Sequence, residues 1–153
     1  MNGLINSKHS LEEITLSSRG HHFRDRYTMK TWSPITSLKS YTKLRSLELE
    51  SWMFFNATGF PLGNDYTALD WLSELLPDSL EQLSIRELTT SDLDKLRIVF
   101  TSARSVSKNL RMLKIVCRIS AEDFENYNLG LWLALEEVTG IHGIVMTREM
   151  HMR

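Results

Sequence analysis

The chain of 153 residues, 42% hydrophobic and 24% charged, has the size and composition of one soluble globular domain. Its formal net charge of −1 provides no long-range attraction to nucleic acid or to an anionic membrane surface, so we expect neither as a partner. The one cysteine, Cys117, cannot form an internal disulfide, and no Cys or His spacing matches a zinc site. The sequence has neither an N-terminal signal peptide nor an apolar run long enough to span a membrane, so a cytoplasmic or nuclear location is expected.

A six-residue pattern, apolar at its first, fourth and sixth positions, recurs along the chain. Its copies span 11–16, 44–49, 80–85 and 110–115, and a weaker copy spans 141–146. Their first residues are separated by 33, 36, 30 and 31 positions, and this regularity indicates an internal repeat. The copies predict five short strands, near 13–17, 46–50, 82–86, 112–116 and 143–147.

The intervals between the copies contain helical patterns. The first follows Pro34, the second spans 68–76, and the third starts at Ser91 with Asp94 as its capping partner. In the fourth interval Gly130 lies within the pattern, so one long helix and two short helices both remain open. Strands that alternate with such returns pair in parallel. We therefore expect an α/β, leucine-rich-repeat-like solenoid, with helical or loop returns on one side, formed as a single domain over residues 1–153.

A doubly wound α/β domain is the rival architecture. It would need strands that are apolar on both faces, and the polar outward residues of the first four copies (Thr15, Glu48, Ser84 and Lys114) indicate otherwise.

Two stretches carry a family resemblance: Leu44-Arg45-Ser46-Leu47-Glu48-Leu49 with the Trp-containing loop after it, and the run from Leu75 to Leu83. They resemble the divergent leucine-rich-repeat half of filamentous-fungal F-box-like proteins. In that family an N-terminal F-box docks onto the adaptor of a ubiquitin ligase, and the repeats select the substrate. Only ten residues precede Leu11, too few for an F-box, so the resemblance implies the substrate-selecting half, without adaptor binding. We expect a fragment or shortened relative of a longer protein.

The outward residues of the strands form the first candidate binding surface. In-register strands would align Thr15, Glu48, Ser84, Lys114 and Val145 in one row, and Ser17, Glu50, Arg86, Val116 and Thr147 in the next. The interpretation is a partner-binding open face on which Glu48, Glu50, Arg86 and Lys114 determine the charge. The alternative is that Glu50 and Arg86 form an ordinary cross-strand surface pair.

The second candidate is an aromatic loop over residues 52–62, with Trp52, Phe54 and Phe55 as anchors for a partner. The alternative is that this loop folds back and completes the core.

Catalytic interpretations find little support. His21 and His22 are adjacent in an extended loop and point to opposite sides, His142 has no triad spacing, and Cys117 is expected to be a buried thiol. We therefore predict no catalytic residue, no cofactor and no metal, and a non-catalytic module that binds a protein partner. Two alternatives stay open: a small, hydrolase-like α/β enzyme with its site at the carboxyl ends of the strands, and a truncated product without an independent role.

Overall fold

The computed structural model of the protein describes residues 8–17, 37–57, 75–103, 106–119 and 129–152. The helices and strands of these residues are, in chain order, β1 (Glu13–Thr15), β2 (Ser46–Glu50), α1 (Ser51–Ala57), β3 (Gln82–Leu88), α2 (Thr90–Ser102), β4 (Met112–Ile119), α3 (Leu129–Ile141) and β5 (Val145–Met152). Within these ranges, no helix combines the length and the apolar character that crossing a membrane requires.

The five strands form one open sheet in which every neighbouring pair is parallel and the order β1-β2-β3-β4-β5 follows the chain. This confirms the predicted α/β class with parallel strands. A doubly wound sheet would reverse its strand order at a switch point, and the order of these five strands has no such reversal.

One hydrophobic core joins the sheet to the helices. The fourth and sixth positions of the pattern point into it, so that Leu47, Leu83, Leu113 and Ile115 are fully buried. Helix α2 adds Leu93, Leu96 and Phe100, and α3 adds Trp132 and Leu135. Burial of each such side chain contributes about 1.5–3 kcal/mol, which makes the alternation of apolar and polar residues the main determinant of which face of each strand is inside.

Successive copies of the pattern meet through the same backbone hydrogen bonds. At each of the first three junctions, the carbonyl of the second pattern residue accepts two N–H groups, from the second and third residues of the next copy. The acceptors are the carbonyls of Glu12, Arg45 and Glu81, and the donor–acceptor distances lie between 2.8 and 3.1 Å. The repeat in the sequence is therefore also a repeat in hydrogen bonding.

The turns that precede the strands are tied to one another by side chains. Ser79 Oγ donates to the carbonyls of Leu44 (2.8 Å) and Tyr41 (3.2 Å). In the next turn, Ser107 Oγ donates to the Pro77 carbonyl and Asn109 Nδ2 donates to the Asp78 carbonyl, each at 2.7 Å. These bonds satisfy carbonyls of one turn with side chains of the following turn, and so fix the spacing of the amino ends of the strands.

The N-cap of helix α2 lies two residues earlier than the sequence pattern predicted. Its N-cap is Thr89, whose side chain accepts from the Asp92 N–H while the Asp92 carboxylate accepts from the Thr89 N–H. Ser91, the predicted cap, lies inside the first turn. Both Thr89 and Ser91 have an acidic residue three positions later, but only Thr89 has the extended backbone that a capping box needs.

The fifth strand starts two residues later than predicted, at Val145 instead of Gly143. Gly143 has a φ of +71° and terminates α3: its N–H donates to the Gly140 carbonyl, and the Ile144 N–H donates to the Thr139 carbonyl. This is a Schellman arrangement, which ends a helix with glycine in the left-handed region. Because the chain completes this turn first, β5 is shifted by two residues relative to the strand register predicted from the repeat, and Val145 pairs with Met112 instead of Lys114.

The remaining helix predictions have mixed outcomes. In the first interval, residues 37–45 form consecutive turns instead of continuing a helix, although Leu38 and Tyr41 are buried. Most of the second interval lies outside the described residues. In the fourth interval the described residues 129–141 form α3, which contains Gly130 in its first turn, and residues 120–128 lie outside the described part of the chain.

Near its carboxyl end, β3 contains a β-bulge that changes which side its residues face. The pairing with β4 shifts between Arg86 and Leu88, and the intervening Glu87 has a φ of +60°. Strict alternation would place Leu88 on the same face as Arg86. The extra residue instead turns Leu88 into the core, where it pairs with Cys117.

Candidate functional site

The face of the sheet opposite the core presents two rows of residues. Each strand that reaches a row contributes one residue to it. The first row is Thr15, Glu48, Ser84, Lys114 and Thr147, and the second begins at β2 with Glu50, Arg86, Val116 and Glu149. The first predicted row is confirmed on β1 to β4 and the second on β2 to β4, because Ser17 lies beyond the end of β1. Both rows are wrong on β5, where Thr147 replaces Val145 and Glu149 replaces Thr147 because of the two-residue shift.

The predicted residues Glu48 and Arg86 are joined by an ion pair across β2 and β3. Arg86 Nη1 donates to Glu48 Oε1 at 2.9 Å, and both side chains are about three-quarters buried. Arg86 lies directly opposite Glu50 in the register, yet it reaches diagonally back to Glu48. The alternative of a Glu50–Arg86 surface pair places these two residues opposite each other correctly, but the ion pair of Arg86 is formed with Glu48.

Glu50 is bound in a different cluster, at the carboxyl end of β2. One of its oxygens accepts from Trp52 Nε1 at 2.6 Å and the other accepts from Ser17 Oγ at 3.3 Å. The residue is buried. The carboxylate therefore links β2 to the start of α1 and to the segment after β1, and it contributes little charge to the open face.

Lys114, on β4, forms the second diagonal ion pair of the face. Its Nζ lies 2.7 Å from Glu149 Oε2, and His151 Nε2 lies 2.8 Å from the other oxygen of the same carboxylate. The hydrogen bond and the positive charge of Lys114 lower the pKa of Glu149 below its usual value, and His151 adds to the effect. The β5 edge of the face is thus charged, whereas the predicted rows placed the uncharged residues Val145 and Thr147 there.

Between the two ion pairs, the side chains on this face are buried. Ser84 is only 2% exposed and Val116 is also buried, although both point away from the core. Within the described part of the chain the Ser84 hydroxyl has no hydrogen-bond partner. A buried hydroxyl without a partner costs about 1–3 kcal/mol, so this position does not maximise stability.

The aromatic segment 52–62, predicted to be a loop, is helical in its described part. Residues 51–57 form α1, in which Phe54 is buried in the core, and Trp52 and Phe55 are partly buried against it. Phe54 packs edge-to-face on Phe55 at 5.4 Å, and Lys95 Nζ lies 5.2 Å from the Phe55 ring. Phe54 therefore stabilises the fold and is not an exposed anchor, while Trp52 and Phe55 keep part of their surface accessible.

A groove that the sequence analysis did not single out lies at the amino ends of β2, β3 and β4. It has a volume of about 410 Å³ and is lined by Arg45, Ser46, Glu81, Gln82, Asn109, Arg111 and Met112. Arg45, Glu81 and Arg111 are the second residues of three successive copies of the pattern. Their alternating charge is a signal present in the sequence, at a pattern position that precedes the outward residues of the two predicted rows.

The structure also locates the residues considered for catalysis. His142 Nε2 donates to the Phe100 carbonyl at 2.9 Å, which ties the end of α3 to α2. Cys117 is buried, and burial, with the negative charge of Asp92, raises its pKa to about 11. His21 and His22 lie outside the described residues. The groove lies at the amino ends of the strands, whereas the enzyme alternative required a site at the carboxyl ends.

Comparisons with family models, with curated proteins and with solved structures found no match to this chain.

Proposed function

We propose that the protein is a non-catalytic, leucine-rich-repeat-like module that binds a protein partner through the open face of its sheet. The observation that carries the proposal is the pair of diagonal ion pairs, Glu48–Arg86 and Lys114–Glu149, which hold four charged side chains in fixed positions on the face of the sheet opposite the core. Such ordered charge selects among partners and steers their approach.

The repeated architecture supports the same proposal. Identical backbone bonds join three successive junctions, and the strands keep one register from β1 to the bulge in β3. A solenoid built in this way presents an extended, rigid row of side chains, which is the usual binding surface of repeat proteins.

The resemblance to fungal F-box-like proteins indicates which kind of protein the partner would be. In those proteins the repeats select the substrate of a ubiquitin ligase, and we propose the same substrate-selecting role for this chain. That role implies a location in the cytoplasm or the nucleus.

The test compares binding by the wild-type protein with binding by an open-face variant, in which Glu48, Glu50, Arg86 and Lys114 are all changed to Gln. Since Glu50 is buried, a second variant keeps Glu50 and changes only the other three residues. A control variant carries equivalent charge-removing changes at helix residues that are exposed or partly exposed, namely Asp94→Asn, Lys95→Gln, Arg97→Gln and Glu137→Gln. Both the open-face variant and the control lose two acidic and two basic groups, so their net charge is the same.

Proteins enriched on the wild-type chain are identified and then titrated, in purified form, against each variant. We expect a genuine partner to bind the open-face variants at least about tenfold more weakly and the control within about twofold of wild type. Circular dichroism checks that all variants are folded. A partner whose affinity is the same for the wild type and both open-face variants would refute the proposal.

A further inference from the structure

The groove at the amino ends of β2, β3 and β4 combines positive charge with neutral polar groups. Its volume of about 410 Å³ lies within the range of natural ligand sites. It is built on three adjacent strands whose spacing is fixed by the paired backbone bonds to the Arg45 and Glu81 carbonyls. The groove is therefore a formed feature of the sheet.

The charged residues of the groove alternate across the strands. Arg45, Glu81 and Arg111 precede β2, β3 and β4, so the backbones of neighbouring members of this set are about 4.8 Å apart across the strands. Arg45 Nε lies 3.8 Å from Glu81 Oε1, and these side chains are 66% and 55% exposed. Arg111 donates to the Lys108 carbonyl at 3.2 Å and has no carboxylate partner among the described residues.

One carboxylate between two guanidinium groups leaves the groove with excess positive charge. The Arg45–Glu81 contact is long and solvated, so it neutralises Arg45 only weakly. A guanidinium group binds carboxylates in a planar, two-point geometry, which makes carboxylates the natural complement of this groove.

The neutral lining indicates a peptide. Ser46, Gln82 and Asn109 supply hydroxyl and amide groups that can bond a peptide backbone, and Met112, which is 37% exposed, supplies apolar contact. A nucleic-acid backbone would bring a continuous row of phosphates past Glu81, where they would be repelled.

We propose that the groove binds an extended acidic peptide segment of a protein partner, which crosses the strands with one carboxylate at Arg45 and another at Arg111. The backbones of these two residues are two strand spacings apart, roughly 10 Å across the strands. Alternate residues of an extended peptide point to the same side and are about 7 Å apart, a distance that the long arginine side chains can accommodate. The favoured pattern is Glu-x-Glu. This inference rests on the proposed protein-binding function and adds the chemistry of the bound segment.

The test uses fluorescein-labelled peptides and the purified full chain. The probe is a peptide of four Gly-Glu repeats, with four Gly-Gln repeats as the uncharged control and an oligothymidine of eight nucleotides as the phosphate control. Fluorescence anisotropy measures binding to the wild type, to a groove variant (Arg45→Gln with Arg111→Gln) and to a control variant (Lys95→Gln with Arg97→Gln). The groove and control variants lose the same positive charge, and the control changes lie on α2.

We expect the acidic peptide to bind the wild type and to bind the groove variant at least about tenfold more weakly, with the control variant within about twofold of wild type. A third variant, Arg45→Lys with Arg111→Lys, keeps the charge without the planar guanidinium and should show an intermediate affinity. Several results would overturn the inference: no binding at about 1 mM peptide, equal binding of the Gly-Gln peptide, tighter binding of oligothymidine, or equal losses in the groove and control variants.

The same measurements separate this inference from the proposed function. If the peptide does not bind but an identified partner still depends on Glu48, Arg86 and Lys114, only the groove inference fails. If the peptide binds through Arg45 and Arg111 while the open-face variants keep every partner, the open-face proposal fails and the groove remains the binding site.

Discussion

The ion pair between Glu48 and Arg86 should couple β2 to β3 more strongly than a second, nearby pair on the same strands. The perturbation is a double-mutant cycle with Glu48→Gln and Arg86→Gln, compared with an equivalent cycle at Arg45 and Glu81. In the first pair the atoms are 2.9 Å apart and the side chains are 28% and 26% exposed. In the second they are 3.8 Å apart and more than half exposed.

The expected magnitudes follow from distance and solvation. Exposed ion pairs contribute between zero and about 1 kcal/mol, and shorter, less solvated pairs lie near the upper end of that range. We therefore expect a coupling energy of about 1 kcal/mol for Glu48–Arg86, and below about 0.3 kcal/mol for Arg45–Glu81.

Urea unfolding of the wild type, the single variants and the double variants gives both coupling energies. Added salt should reduce the Glu48–Arg86 coupling only partly, since the pair is partly buried. Equal coupling energies for the two pairs would refute the reasoning, because burial and distance would then not determine the strength of these ion pairs.

The further predictions concern the cap of α2, Ser84 and Cys117. Thr89→Ala should lower the free energy of unfolding by about 1 kcal/mol, whereas Ser91→Ala should change it by less than about half of that, because Thr89 is the cap of α2. Ser84→Ala should raise the free energy of unfolding by about 0.5–1 kcal/mol in urea titrations; a loss above 1 kcal/mol would mean that the hydroxyl has a partner. Cys117 should resist iodoacetamide at about pH 8 until the protein unfolds, because burial raises its pKa to about 11. Since the unfolded thiol ionises at lower pH than the folded one, Cys117 should also make the free energy of unfolding fall as pH rises toward about 11.

The register of the first four strands could be predicted because burial determines it. A slip of one residue in β3 would move Leu83 and Ile85 out of the core, so the alternation in sequence fixes the pairing. The fifth strand lacks this constraint. Its side chains are largely exposed, and Arg148, which takes the place of the third apolar residue, stacks over the Trp132 ring at 5.9 Å instead of entering the core. The pattern that aligned the other copies therefore aligned β5 wrongly.

Side-chain partners on the open face were beyond sequence reasoning for a different reason. The register places Arg86 opposite Glu50, and only the geometry of both neighbours shows that Glu50 is already bound by Trp52. The helix α1 was missed because its residues, SWMFFNA, provide no acidic residue in the first turn and no basic residue in the last turn. Its aromatic residues are typical of both a loop anchor and a buried helix.

The groove and the open face form one continuous surface, and this affects how a partner would bind. Ser46 and Gln82 line the groove and lie two residues before Glu48 and Ser84 on the same side of their strands, a distance of about 7 Å. A partner whose acidic segment occupies the groove would therefore place its neighbouring residues over the Glu48–Arg86 pair. Combining the groove variant with the open-face variant should then weaken binding by less than the product of the two separate effects, because loss of either anchor releases contacts at the other. Independent effects that multiply would instead mean that the two surfaces bind separate parts of one partner without coupling between them.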